Sequence, residues 1–228
     1  MKIKTCGLFR EEDINYANKL KPNYIGFVFA ESKRKVKVEK ARNLKNKLDK
    51  EIKAVGVFVN DNFDFILNLI KDKIIDIIQL HGSEDNDFID NLKIKTNSKI
   101  IKSVTVENEN SILESVNIFS DFILLDNFKC EVGKTFNWNY LKEAFKLNKN
   151  FKNIFNEKYF LAGGLNKENI NEALKFNPYS VDLSGGLETD GIKDFDKMKY
   201  IININNRNYC SNIIIISLSF LFICVAIT

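Results

Sequence analysis

The sequence predicts an α/β fold: a single (β/α)8 TIM barrel over residues 1–206, followed by a short apolar C-terminal extension over 207–228. Three observations lead there. Short apolar runs recur along the chain, several of them apolar nearly throughout, as parallel strands buried on both faces must be. Stretches with apolar residues at three- and four-residue steps lie between them, the mark of a helix with one buried face. No strands follow one another directly, which argues for right-handed crossovers in a parallel sheet. Eight such units are the number that closes a barrel. An open doubly wound sheet is the alternative. It more often carries a G-x-G-x-x-G after an early strand, and this chain has none.

The first run, "IKTC" (3–6), alternates as a strand does; Gly7 breaks it, and "EEDINYANKL" (11–20) supplies the first helix. "YIGFVF" (24–29) passes through "AESKRKV" into "VEKARNLKNKLDK" (38–50). "AVGVFV" (54–59) precedes "NFDFILNLIK" (62–71), with Asn62 as the expected N-cap. "DIIQLH" (76–81), "KIIKSV" (99–104) and "DFILLD" (121–126) continue the series. "KYFLAG" (158–163) leads to "NKENINEALKF" (166–176), where Asn166 is the expected cap. "SVDLSG" (180–185) leads to "DFDKMKYIININ", capped by Asp194, with Phe195, Met198, Ile201 and Ile202 on its inward face.

The last segment differs in kind. After Arg207 there is no charge, and residues 213–227 are apolar apart from Ser217 and Ser219. As a helix they reach about 23 Å, short of the ~30 Å hydrocarbon core. Barrel closure does not need them. The tail therefore reads as an appendage, with membrane contact the less favoured alternative.

The chain has 228 residues, 45% hydrophobic and 28% charged, enough apolar chain for a substantial core. The net charge of +4 is mild and the lysines are scattered, so no nucleic-acid partner is expected. The four cysteines (6, 130, 210, 224) form no C-x-x-C pair, and His81 is the single histidine, so no metal site is expected. "MKIKT" enters a strand directly without a signal-peptide pattern, and unpaired thiols suit the cytoplasm, the expected location.

In such a barrel the chemistry sits at the C-terminal ends of the strands. The polar residues expected there are Cys6, Arg34, Gln79, His81, Asp126, Gly163, Gly164, Asp182 and the run Ser184, Gly185, Gly186. Two glycine-rich loops, "LAGGLNKEN" and "DLSGGLETDGIKD", follow the seventh and eighth strands, where this architecture builds its phosphate site from backbone N–H groups. Asp126 is either a turn former or a carboxyl group in a dry cleft, able to donate a proton. Arg34 is either a surface charge or a two-pronged donor to a carboxylate. His81 is either a packing residue or a contact to the substrate. Cys6, at the end of a buried strand, is by itself as well read as inert packing.

Taken together and in order, "KTCGL", "GFVF", "SKRKV", "VGVFVN", "IIQLHG", "ILLD", "GKTFNW", "LAGGLNKENI" and "VDLSGGLE" resemble the phosphoribosylanthranilate isomerase family over residues 1 to about 203. The resemblance implies a (β/α)8 barrel without metal or cofactor. The implied reaction is an Amadori rearrangement of N-(5-phosphoribosyl)anthranilate to the 1-deoxyribulose 5-phosphate isomer. It implies that Cys6 is the general base and Asp126 the general acid, and that Arg34 meets the anthranilate carboxylate. It places the phosphate at Gly163 and Gly164 and at Ser184, Gly185 and Gly186, and makes His81 and Asp182 further substrate contacts. The expected partner is a small phosphorylated substrate, and the expected assembly a monomer or homodimer. The chain departs from the family pattern at Phe9, at Cys130–Glu131 and at Gly185, none of which is a proton-transfer group. Two other readings stand beside this one. A histidine-pathway aminoaldose isomerase resembles a two-aspartate design, against which Cys6 argues. A non-catalytic protein tethered to a membrane by its tail is the other.

Overall fold

The structure, a computed structural model, describes residues 1–127, 134–147, 155 and 158–204. Eight parallel strands close into a barrel in sequence order: β1 (Lys2–Cys6), β2 (Tyr24–Val28), β3 (Lys53–Phe58), β4 (Ile77–Leu80), β5 (Lys99–Thr105), β6 (Phe122–Asp126), β7 (Tyr159–Leu161) and β8 (Ser180–Leu183). The expected barrel is therefore present. The strands are shorter than several of the apolar runs. Phe29, Val59, His81 and Gly163 lie past the strand ends, although Phe29 and His81 each still donate one backbone hydrogen bond into β3.

Among the described residues the outer layer holds α1 (Glu11–Leu20), α2 (Val38–Lys47), α3 (Phe63–Lys71), α4 (Asn86–Lys95), α5 (Glu109–Glu114), α6 (Asn139–Leu147), α7 (Ile170–Leu174) and α8 (195–204). None of them is long and apolar enough to cross a membrane. Their starts are set by local polar chemistry. Asn62 accepts from the Phe65 N–H at 3.1 Å, as an N-cap should. Asp194 accepts from the N–H groups of Asp196 and Lys197 and so opens α8. Asn166 is displaced from its expected place: it accepts from Glu168 and Asn169, forming a turn ahead of α7, and Asn169 is the cap residue. The helix expected to reach residue 50 stops at Lys47, where Leu48 turns extended and buries its side chain.

Two kinds of core hold the barrel. Between strands and helices lie apolar clusters that include Ile25, Phe27, Phe58, Ile66 and Ile78 on one side and Leu125, Leu161, Val181, Met198 and Ile201 on the other. Inside the barrel Tyr24, Val55, Ile77, Ile101, Leu124, Phe160 and Ala162 fill the middle. Tyr179 stacks on Phe122 at 4.9 Å between centroids and plugs the lower end. That plug leaves the upper, C-terminal mouth as the place where inward side chains can meet a ligand.

A feature absent from the sequence reading follows β8. Gly185–Leu187 form a single 3-10 turn, and a small antiparallel hairpin follows, β9 (Glu188–Thr189) with β10 (Ile192–Lys193). Its two-residue turn is Asp190–Gly191, at φ 52° and 79°. Asp-Gly is the pair that accepts two left-handed residues in succession, so the signal was present in "ETDGIK". The hairpin carries Glu188 and Lys193 back over the mouth.

Candidate active site

β1 enters the mouth with a buried charge. Lys4 points inward and is paired in register with Asp182 of β8. Its ammonium donates to Asp182 Oδ2 at 2.7 Å and is wholly shielded from solvent. Asp182 Oδ1 is buried with no hydrogen-bond partner among the described residues. Two residues on, Cys6 occupies the same inward row and pairs with Gly26 of β2. A Cβ on Gly26 would lie 2.6 Å from Cys6 Sγ, so that glycine clears the space for the thiol. Burial pushes the Cys6 thiol up, Lys4 pulls it down, Asp182 pushes it up again, and the net position is above the ordinary value. The Lys4 ammonium is pulled down by burial, yet Asp182 and Cys6 outweigh this and hold it above its ordinary value.

Past Cys6 the chain must leave the barrel sharply. Gly7 does so at φ 80°, and a Cβ there would lie 2.4 Å from Arg34 Cδ. Asp13 then accepts from the N–H groups of Phe9 and Arg10 and takes both Nε and Nη2 of Arg10, which anchors the start of α1. Phe9 packs against the apolar cluster beside α1, with Lys40 over its ring at 5.8 Å.

Across the mouth, Asp126 ends β6. Its Oδ1 accepts from the Asn127 N–H at 2.6 Å. Burial lifts its carboxyl group to about 6, with the neighbouring Asp182 charge adding to the rise and Asn127 and Lys4 opposing it. His81 Nε2 stands 3.6 Å from Asp126 Oδ2. Burial, with Lys4 and Lys102 nearby, drives the imidazole down to about 3, so it is neutral and the contact is not an ion pair at neutral pH. Gln79 donates to His81 Nδ1 at 2.8 Å, which leaves the ring proton on Nε2, facing Asp126.

The two glycine loops close the same mouth. Gly163 and Gly164 stand at φ 82° and 62°, a region other residues adopt only under strain. A Cβ on Gly163 would lie 3.0 Å from Asp126 Oδ1. Gly186 passes so close to the neighbouring loop that a Cβ would lie 2.0 Å from the Leu165 carbonyl oxygen. Gly185 differs: a Cβ there would meet only Arg34 Nη2, at 3.6 Å. Ser184 donates its hydroxyl to the Cys6 carbonyl at 3.2 Å, tying the loop to β1.

Arg34 lies over Gly7, but its fork is engaged. Nε and Nη2 each donate to a Glu188 carboxylate oxygen at 2.6 Å. The end-on edge at Nη1 is not used in that pair. Lys193, almost fully buried, donates to Glu188 and to the Ser184 carbonyl, the latter at 3.1 Å. Burial brings Lys193 below its ordinary value, while Glu188 is held below its own by Arg34 and Lys193 despite the opposing effect of burial.

The fold thus brings Cys6, Arg34, His81, Asp126, Gly163, Gly164, Asp182, Ser184, Gly185 and Gly186 to one end of the barrel. Cys130, Glu131 and the tail beyond 206 lie outside the described residues. Sequence reasoning passed over Lys4, Gly26, Glu188 and Lys193. A lysine on the inward row of "KIKTC" was the available signal for the first. Glu188 and Lys193 carried none beyond the Asp-Gly turn. Among the described residues no three His, Cys, Asp or Glu side chains converge as a metal site.

Residues 3–204 match the family model described as N-(5'phosphoribosyl)anthranilate (PRA) isomerase. An N-(5'-phosphoribosyl)anthranilate isomerase of Endomicrobium trichonymphae is 46% identical over 208 residues, covering 89% of this chain and 97% of that protein. The enzyme of that name from a Thermoanaerobacter species is also 46% identical, over 207 residues, covering 89% of this chain and 96% of its own. The crystal structure of the Thermotoga maritima phosphoribosyl anthranilate isomerase superposes with a TM-score of 0.78 at 32% identity, covering 89% of this chain and 97% of that one. A structure of such an isomerase in complex with reduced 1-(o-carboxyphenylamino)-1-deoxyribulose 5-phosphate superposes with a TM-score of 0.74 at 31% identity, covering 89% and 96%.

Proposed function

The chain belongs to the N-(5'-phosphoribosyl)anthranilate isomerase family, and we propose that within its mouth Asp126 is the general acid and Cys6 the general base. The reaction is the isomerisation of N-(5'-phosphoribosyl)anthranilate to 1-(2-carboxyphenylamino)-1-deoxyribulose 5-phosphate. It needs a proton at the ring oxygen and a base at C2. Asp126 keeps its proton to about pH 6, near enough to neutrality to give it up in the reaction. It passes that proton to the ribose ring oxygen as the C1–O bond breaks. The anthranilate nitrogen's lone pair then makes an iminium at C1, and the C2 proton becomes acidic. The Cys6 thiolate, on β1, takes it. The resulting enolamine gains a proton at C1 and loses one from its 2-hydroxyl, which gives the ketone. Substrate and product are isomers, so no proton is gained or lost overall.

The observation that carries this reading is the pair of buried titratable groups on separate walls of one mouth. Asp126 and Cys6 are both raised by burial, and Lys4 and Asp182 act on both. Acid and base can therefore face different atoms of one ligand. Around them, the backbone at Gly163–Gly164 and at Ser184, Gly185 and Gly186 takes the phosphate. Arg34 offers its unused edge to the anthranilate carboxylate while Glu188 holds the other edge. The His81 Nε2–H and Asp182 Oδ1 serve the sugar hydroxyls.

The test is the loss of substrate fluorescence on turnover. Cys6→Ala and Asp126→Asn each lower kcat at least ~100-fold, the usual scale for a positioned acid or base, with far smaller changes in KM. Near-full activity in either variant overturns the assignment of roles.

A further inference from the structure

A buried ammonium is expensive to hold, and an ion pair that only stabilises a core is replaceable by apolar residues of similar volume at little loss. Lys4 therefore calls for a reason. Its side chain is entirely shielded, and Asp182 Oδ2 at 2.7 Å takes only one of its three donors. Cys6 lies one inward step further along β1 in the same row, and the Lys4 charge acts on its thiol, opposing the rise that burial causes. Other charges reach Cys6 less directly. Arg34, from the loop after β2, and Lys193, from β10, both direct donors to Glu188. Asp182 faces the sulfur from β8 and opposes its ionisation. From β6 Asp126 lies near both Lys4 and Asp182, and from the turn just past β4 His81 lies near Lys4 and Lys102. On the β2 side the partner of Cys6 is Gly26, which brings no charge.

Resting on the reading of Cys6 as the base, we propose that Lys4 is a positioning residue that serves as the counter-ion of the Cys6 thiolate, shared with Asp182 until a substrate hydroxyl donates to Asp182 Oδ1. That oxygen is buried and has no partner among the described residues, so a hydroxyl donor placed there meets an unspent acceptor. A hydrogen bond at Oδ1 withdraws charge from the carboxylate and weakens its hold on the ammonium. The ammonium then turns its field to the sulfur, and the thiol proton leaves to water through the mouth. The base is thereby most available when the sugar is seated. A thiolate among a phosphate and a carboxylate needs such a local cation.

The experiment reads Cys6 alone, in the full-length chain without substrate. Iodoacetamide labelling of the Cys6 peptide is followed by mass spectrometry from about pH 5 to pH 10, which tracks the thiolate fraction. Asp182→Asn shifts the midpoint of labelling down and Lys4→Met shifts it up, each by roughly one unit or more, the usual effect of a nearby charge. Lys4→Met strands a buried carboxylate and can fail to fold. The double variant Lys4→Met/Asp182→Asn removes both charges, and its midpoint lies at least about one unit above that of Asp182→Asn alone. Equal midpoints in these two variants overturn the proposal. The base reading fails separately, through an active Cys6→Ala, and the proposal falls with it. A dead Cys6→Ala with an unmoved midpoint removes Lys4 only.

Discussion

Replacing Asp126 by Asn should stabilise the protein while abolishing its chemistry. The Asp126 carboxyl is raised from an ordinary 3.8 to about 6, chiefly by burial. Between those values the folded state holds a proton that the unfolded chain releases. Wild-type stability therefore falls as pH rises through that window, and above about pH 6 the folded state carries the full penalty of a buried charge. About two units correspond to about 3 kcal/mol. Asn keeps an oxygen to accept from the Asn127 N–H, now at 2.6 Å. Its amide nitrogen, however, faces His81 Nε2, which lies 3.6 Å from the present Oδ2, donor against donor. That mismatch takes back ~1 kcal/mol. The net gain at pH 7 is about 2 kcal/mol, or about 6 °C in Tm for a barrel of this size. Below about pH 4 wild type is protonated in both states, and the advantage of Asn disappears. Urea unfolding of both proteins at neutral and acid pH measures this. An Asp126→Asn variant no more stable at pH 7, or one whose advantage is undiminished in acid, refutes the reasoning.

Arg34→Ala should raise KM with little change in kcat, because a carboxylate contact persists from ground to transition state; a collapsed kcat at unchanged KM contradicts it. Gly185→Val should raise KM for the phosphorylated substrate by blocking close backbone approach, while Gly185→Ala should leave the unfolding midpoint unchanged, since a Cβ there meets nothing closer than 3.6 Å. Gly186→Ala should lower the midpoint itself, since its Cβ would lie 2.0 Å from a backbone oxygen; equal stability of the two Ala variants is the opposing result. A chain truncated after Asn206 should fold, stay more soluble than the full chain and keep isomerase activity, because an apolar segment left in water promotes aggregation. A large fall in midpoint on truncation would assign the tail to the fold instead.

The barrel was legible in the sequence because its determinants are local and periodic. A strand buried on both faces must be apolar along its length, and a helix packed on one face must repeat every three or four residues. Counting such units was enough to reach closure, and the strand ends then placed Cys6, His81, Asp126 and Asp182 on one rim. What only the tertiary structure decided is which side chain meets which across that rim. Lys4 finds Asp182 because closure pairs the first strand with the last, residues far apart in sequence. Arg34 is held by Glu188 because a two-strand hairpin returns over the mouth, and Gly26 is needed because Cys6 stands opposite it on the neighbouring strand. Gly185 and Gly186 are adjacent and chemically identical, yet only Gly186 runs against another loop's backbone. Even the Asp126 proton is a tertiary property, since its retention follows from burial and from a charge on β8. Local patterns fix where a side chain stands on its own element; partners, burial and proton affinity arise only where separate elements converge.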